Sequence, residues 1–317
     1  DIMQGVSINI FVKTGKKKEK ELGKVFHYDL YGKRDFKYDF LNNNSIKNIN
    51  YKELPNVAPN YFFVNKDFDE QKVYDTGFKI TDLFQLNNVG IVTARDSFTI
   101  KRFKKDVKNT IEEFLSLNDE DARIRFKLGK DVRDWQVNFA RKDLLKSYPH
   151  EGKFTEVNYR PFDNRWTYYT GKSKGFHCYP RTEVMQHFLN GENIGLNLCK
   201  QFKTGENYVH SFISNKIIES SYVSNRTSEI TSTFPLYLYP ENTGQLSLHE
   251  NDERTPNLNM EIVKEIAEKL GLYFSPEKPD YNLQTEETNQ FYPIDILDYI
   301  YAVLHSPTYR EKYKEFL

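Results

Sequence analysis

The sequence predicts an α+β fold: mixed sheets with helices, opening on a β-hairpin and closing on a helical C-terminal extension. Three observations carry that reading. Short β-rich runs bounded by Gly, Pro and Asn recur along residues 5–31 and 154–239. Apolar residues at helical spacing occupy residues 103–144 between them, and capped helical stripes fill the last sixty or so positions.

Residues 5–13 alternate and are β-rich, and residues 25–31 form a second such run beyond a Gly/Lys-rich connection. Together they predict a hairpin. Two strands cannot hold a domain alone, so the hairpin is expected to finish a sheet whose other strands precede Asp1. An Asn-rich patch at 42–50 reads as a linker, and residues 61–64 and 89–93 as strands. Phe103, Val107, Ile111, Phe114 and Leu115 recur at helical spacing, Asn118 is placed to cap a helix that stops at Gly129, and Trp135, Phe139 and Leu144 mark another. The pattern then reverts to β at 157–160 and 165–170. Thr182 reads as the cap of a helix through Leu189, and strands are expected at 194–198, 208–213 and 236–239. Ile262, Val263, Ile266 and Leu270 form a helical stripe with Gly271 as its stop, Pro293 opens the next helix, and Ser306 and Pro307 supply the cap and first turn of the last. These elements predict three parts: 1–34, 35–240 and 241–317.

With 45 basic and 45 acidic residues the chain is formally neutral, which argues against a wholly electrostatic binder but not against a basic face. Cys178 and Cys199 are the only cysteines, too few for a disulfide framework or a zinc site, so a cytoplasmic setting is expected. No apolar run is long enough to span a membrane, and no membrane partner is expected. Both ends of the sequence, Asp1 and Leu317, read as cuts from a longer polypeptide.

Signatures of hydrolases, metalloproteases and nucleotide-binding loops are missing, and the seven histidines are scattered. His177 beside Cys178 suggests a base and nucleophile only superficially, because neighbouring side chains on a strand point to opposite faces. No catalytic residue or metal ligand is expected in this chain. Residues 157–182 are different: Arg160, Arg165, Lys172, Lys174 and Arg181 are opposed by Asp163 alone and interleaved with aromatics. Arg binds guanine edges in a bidentate manner, and Lys and Ser in a loop suit phosphate oxygens. The structural alternative, aromatics filling a sheet core under a cationic outer face, is about equally consistent. Asn225, Arg226 and Thr227 carry donors and acceptors suited to base edges but also suit a capped turn. Arg95, beside Asp96, reads more readily as half of a salt bridge.

At these same segments the sequence resembles the C-terminal specificity region of Type ISP restriction-modification enzymes and related adenine-N6 DNA methyltransferases. The matching stretches are residues 1–8, 27–34, 77–84, 89–96, 128–131, Tyr159-Arg160-Pro161-Phe162-Asp163, 168–175, 224–229 and 293–307, in order along the whole chain. The resemblance implies a double-stranded DNA target recognition domain that directs methylation and cleavage by upstream domains. S-adenosylmethionine is expected in the missing methyltransferase domain, with ATP and Mg in a translocating parent. The Asn-Pro-Pro-Tyr/Phe motif of such methyltransferases is absent here. Arg95, Arg160, Arg165, Lys172, Ser173, Lys174, Arg181, Asn225, Arg226 and Thr227 are thereby the expected DNA contacts, with the 172–174 loop on phosphates and base readout near residues 201–204. The rival expectation is a coupling module that docks between methyltransferase and motor domains and scarcely touches DNA.

Overall fold

The structure is a computed structural model and describes residues 5–202, 208–226, 229–240, 254–279 and 289–316. The chain forms two compact units, residues 1–72 and 73–317.

In the first unit, strand β1 (Val25–His27) pairs antiparallel with β2 (Lys52–Leu54), and helix α1 (Arg34–Asn43) lies between them in sequence. Residues 5–13 form no strand, although Val6, Ile8 and Phe11 are 78%, 75% and 84% exposed. The hairpin predicted from 5–13 and 25–31 therefore does not form, and β1 takes a partner further along the chain. A ribbon that cannot cover its apolar side gains too little to order itself. Residues 61–64, read as a strand, are irregular. Helix α2 (Gln71–Tyr74) spans the division between units.

The second unit is an α+β assembly. Helix α3 (Ile80–Leu83), strand β3 (Asn88–Val89) and helix α4 (Asp96–Thr99) lead into three longer helices: α5 (Lys104–Ser116), α6 (Asp119–Arg125) and α7 (Val137–Ser147). The Asn118 side chain accepts the backbone N–H of Asp121, the predicted cap of α6. Strands β4 (Lys153–Arg160) and β5 (Asp163–Tyr169) then form a long antiparallel hairpin. Helix α8 (Thr182–Met185) runs into a 3-10 turn. Its N-cap is Arg181, not Thr182, whose hydroxyl instead donates to the Gly171 carbonyl. Strands β6 (Gly195–Cys199), β7 (Ser211–Ser214), β8 (Ile217–Ile218), β9 (Thr231–Pro235), β10 (Tyr237–Leu238) and β11 (Thr255–Pro256) follow. The chain closes with α9 (Met260–Leu270), β12 (Tyr273–Phe274), β13 (Gln290–Phe291), α10 (Pro293–His305) and α11 (Pro307–Lys312). As predicted, Gly271 ends α9 in the left-handed region (φ 66°) and Ser306 caps α11.

A four-stranded antiparallel sheet has the order β3-β9-β6-β7, and a three-stranded sheet the order β5-β4-β8 with β8 parallel to β4. The period-2 alternation of the β4–β5 hairpin places Phe154, Trp166 and Tyr168 on one face and Val157 and Tyr169 on the other. The first face packs on Ile111 and Phe114 of α5, Leu144 of α7 and Trp135 just before α7. The second packs on Met185, Ile217 and Ile218. A third core joins Leu196 and Phe234 of the four-stranded sheet to Val263 of α9 and Leu297 of α10, so the C-terminal helices share a core with that sheet. The hairpin is held on both faces, and its turn projects from a rigid base.

Candidate nucleic-acid interface

The hairpin turn is Arg160-Pro161-Phe162-Asp163, with a register shift between Asn158 and Arg160. Phe162 has φ 64° and is 99% exposed. Pro followed by a residue of positive φ is the pattern of a type II turn, whose second central position ordinarily takes Gly or Asn. Residues 100–102 lie along the open edge of β5: Lys101 exchanges both backbone hydrogen bonds with Trp166, at 2.9 and 2.7 Å. Continuing that antiparallel register sets Arg102 across from Arg165, one step nearer the turn. A concavity of about 580 Å³ results, lined by Arg102, Phe162, Asp163, Asn164 and Arg165.

Two expected contacts, Arg160 and Arg165, meet at this end of the hairpin, and both are already engaged. Their guanidinium carbons each lie 4.0 Å from the centre of the Tyr159 ring. Arg160 also pairs with Glu219, which is 5% exposed and accepts from Ser220 Oγ and Ser221 N–H as well. Arg165 clasps Asp163 with two nitrogens, at 3.0 and 2.7 Å. The Tyr159 hydroxyl donates to Asp96 at 2.9 Å, and burial followed by that carboxylate pushes the phenol up.

Sequence reading missed the cations of the segment that leads from the β5 edge into α5. Arg102, Lys104 and Lys105 are exposed, in a segment read only for its helical period. The run Lys101-Arg102-Phe103-Lys104-Lys105 was itself the signal, a basic stretch studded with an aromatic. Lys104 lies 5.4 Å from the Phe154 ring and 5.7 Å from that of Trp166; Lys105 and Arg102 lie 5.8 and 6.0 Å from that of Phe103. Lys101 differs: its ammonium donates to the Ser97 carbonyl, and burial lowers its pKa.

A second group sits at the far end of β5. Asp143, 2% exposed, accepts from Thr170 Oγ1 at 2.7 Å and from Phe176 N–H at 2.8 Å, which clamps residues 170–176 onto α7. Gly175 is required there, because a Cβ would stand 2.2 Å from an Asp143 oxygen. The clamp presents Lys172, Ser173 and Lys174 at the surface beside Lys142 and Phe139, around a hollow of about 200 Å³. Lys174 reaches Asp134 at 3.1 Å. Arg133 first, then Tyr179 and Lys174, hold the Asp134 carboxyl well below the usual carboxylate range.

Arg95 donates to the carbonyls of Leu128, Ala94 and Lys130 and lies 4.7 Å from the Trp135 ring, so it pins the 128–130 loop rather than pairing with Asp96. Arg181 lies 5.0 Å from the Tyr179 ring. Arg181, Lys174 and Arg95 all act on the Cys178 thiol, which burial nevertheless pushes up. Its sulfur donates to the Asp134 carbonyl, while His177 turns to Thr167 at 2.9 Å and is lowered by full burial to about 4. Asn225 and Arg226 are exposed on a turn in which Arg226 N–H donates to Ser224 Oγ. Thr227 and residues 203–204 lie outside the described residues.

Of the expected contacts, Arg160 and Arg165 form one group at the turn end of β5, and Lys172, Ser173 and Lys174 form a second beyond its other end. Seven residues rising about 3.3 Å each separate them by roughly 20 Å. Among the described residues, no group of three His, Cys, Asp or Glu side chains is placed to hold a metal ion, and no helix is long and apolar enough to cross a membrane.

Residues 82–317 match the family model of the Type ISP C-terminal specificity domain. Among solved structures, the chain is similar to the DrdV–DNA complex (19% identity, TM-score 0.57), covering 92% of this chain and 28% of that one. It is also similar to a nuclease-deletion mutant of the Type ISP restriction-modification enzyme LlaGI in complex with a DNA substrate mimic (18% identity, TM-score 0.55), covering 94% of this chain and 26% of that one. The chain thus spans just over a quarter of the length of either. No curated protein matches it.

Proposed function

Because the chain belongs to the Type ISP C-terminal specificity domain family, we propose that it binds double-stranded DNA and reads its sequence on behalf of catalytic domains elsewhere in a longer polypeptide. The observation that carries this reading is the pair of cationic clusters set by one strand. Arg102 lies beside the hairpin turn, with Lys104 and Lys105 exposed next along the chain, and Lys172 stands beyond the other end of β5. Their separation, roughly 20 Å, matches about six base pairs of B-form duplex. Cations at that spacing fix register on phosphates, which leaves Asn164, Asn225 and Arg226 as exposed groups suited to base edges.

On this reading the chain presents one adenine of its site to an upstream methyltransferase domain that binds S-adenosylmethionine, with ATP and Mg serving motor and nuclease segments. Residues 1–34 then belong with the methyltransferase, 35–240 with target recognition and 241–317 with the helical extension. The exposed apolar side chains of 5–13 are consistent with a strand that completes a neighbouring sheet. The engagement of Arg160, Arg165 and Lys174 by Glu219, Asp163 and Asp134 favours a second reading, a coupling module with little DNA contact. Selection of a random duplex library by the chain separates the two. Enrichment of one sequence with strongly salt-dependent affinity supports the reader; weak binding indifferent to salt supports the coupling module.

A further inference from the structure

The Phe162 ring carries two costs with no visible return within the chain. Its phenyl group is 99% exposed, and its backbone holds φ 64°, a conformation that a bulky side chain adopts at a penalty. Glycine would remove both. The surroundings point to what meets the ring. A protein-docking hot spot is ordinarily set among apolar neighbours, whereas this ring shares its concavity with Arg102, Asn164, Arg165 and the Arg165-paired Asp163. Lys104 and Lys105, both exposed, follow Arg102 in sequence. An apolar wedge between flanking cations is the composition with which minor-groove binders pry apart a base step while their cations hold the adjacent phosphates. The base of the hairpin suits such a lever, since β4 and β5 are packed on both faces.

We propose that Phe162 is a wedge that inserts between adjacent base pairs of bound duplex DNA, with the exposed Arg102 beside it holding an adjacent phosphate. The inference rests on the DNA-reading function proposed above and adds a step to it: the chain opens the base stack at one point and kinks its site. A kink of roughly 20–90° is the range such side chains produce.

The test uses the duplex enriched by the chain from a random library, labelled at both ends with a fluorescent donor and acceptor. The wild-type chain shortens the end-to-end distance. Phe162→Ala returns it to that of free DNA and weakens binding roughly tenfold, the size of one lost base–aromatic stack. Phe162→Leu keeps most of the bend, because a wedge needs volume and not an aromatic face. So exposed a side chain supports no core, and unchanged melting of both variants separates lost insertion from lost folding. If wild type and Phe162→Ala bend the duplex equally, or wild type binds it straight, Phe162 is no wedge, yet the chain still reads DNA. If no duplex is enriched, the DNA-reading function itself fails.

Discussion

Replacing Arg160 by Ala separates a DNA contact from a structural tether. Arg160 pairs with Glu219, whose side chain is 6% exposed, while its own is 27% exposed. Removing the guanidinium strands a carboxylate in a site that excludes water. Breaking a buried pair from one side costs about 3–5 kcal/mol. The Ser220 hydroxyl and Ser221 N–H still donate to Glu219, which keeps the cost near the lower end, about 3 kcal/mol. In a domain of this size that lowers the melting temperature by roughly 6–12 °C. Arg165→Ala is the control: its pair with Asp163 is open, 36% and 40% exposed, and such surface pairs contribute at most about 1 kcal/mol. Thermal unfolding followed by circular dichroism reads both, and Arg160→Met with Glu219→Gln should recover most of the loss by removing both charges together. Arg160→Ala melting within 2–3 °C or so of Arg165→Ala would refute the buried-pair argument.

Other consequences follow from the same geometry. His177 is neutral in the folded chain, lowered to about 4 against an ordinary 6.5. The unfolded chain therefore binds the extra proton between these values, and stability present above pH 6.5 falls by about 3 kcal/mol as pH drops toward 4; urea denaturation across that window should show the decline, and His177→Gln should flatten it. Gly175→Ala drives a Cβ into Asp143 and should cost about 1–3 kcal/mol while loosening the 170–176 loop, read as a lower urea midpoint and weaker DNA binding together. Lys172→Ala should weaken binding to all duplexes alike and reduce the salt slope by about 0.9, whereas Lys174→Ala should reduce it less, because Asp134 competes for that ammonium. An identical slope for the two variants would count against the competition.

What was legible in the sequence was what is decided locally. Asn118, Gly271 and Ser306 mark helix ends through hydrogen bonds and backbone angles set within a few residues, and the structure places them accordingly. The strands β4 and β5 were legible as β-like runs at 157–160 and 165–170, though their pairing was not read. Pairings over long separations were not. β1 finds β2 rather than residues 5–13, and Arg160 finds Glu219, 59 residues away. β9 escaped notice because Thr231, Ser232 and Thr233 give a buried strand a polar pattern; the Thr231 hydroxyl is satisfied by the Val223 N–H, which no local rule anticipates. The candidate interface was half legible. Reading residues 157–182 for their charge found Arg160, Arg165 and the 172–174 loop, but not which cations are consumed by carboxylates and carbonyls. Reading 101–105 for helical period alone concealed Arg102, Lys104 and Lys105, which follow the Lys101–Trp166 bridge and are exposed.

The central claim is that exposed cations beside β5, from Arg102 near its turn to Lys172 beyond its other end, hold DNA phosphates. Its most direct measurement is the slope of log binding constant against log salt concentration, for the wild-type chain and for a variant with Arg102, Lys104, Lys105 and Lys172 all changed to Ala. The account predicts that the wild-type slope is steeper than about −3.5 and that the variant loses about 0.9 for each removed contact. Equal slopes in a variant that melts like the wild type would contradict it.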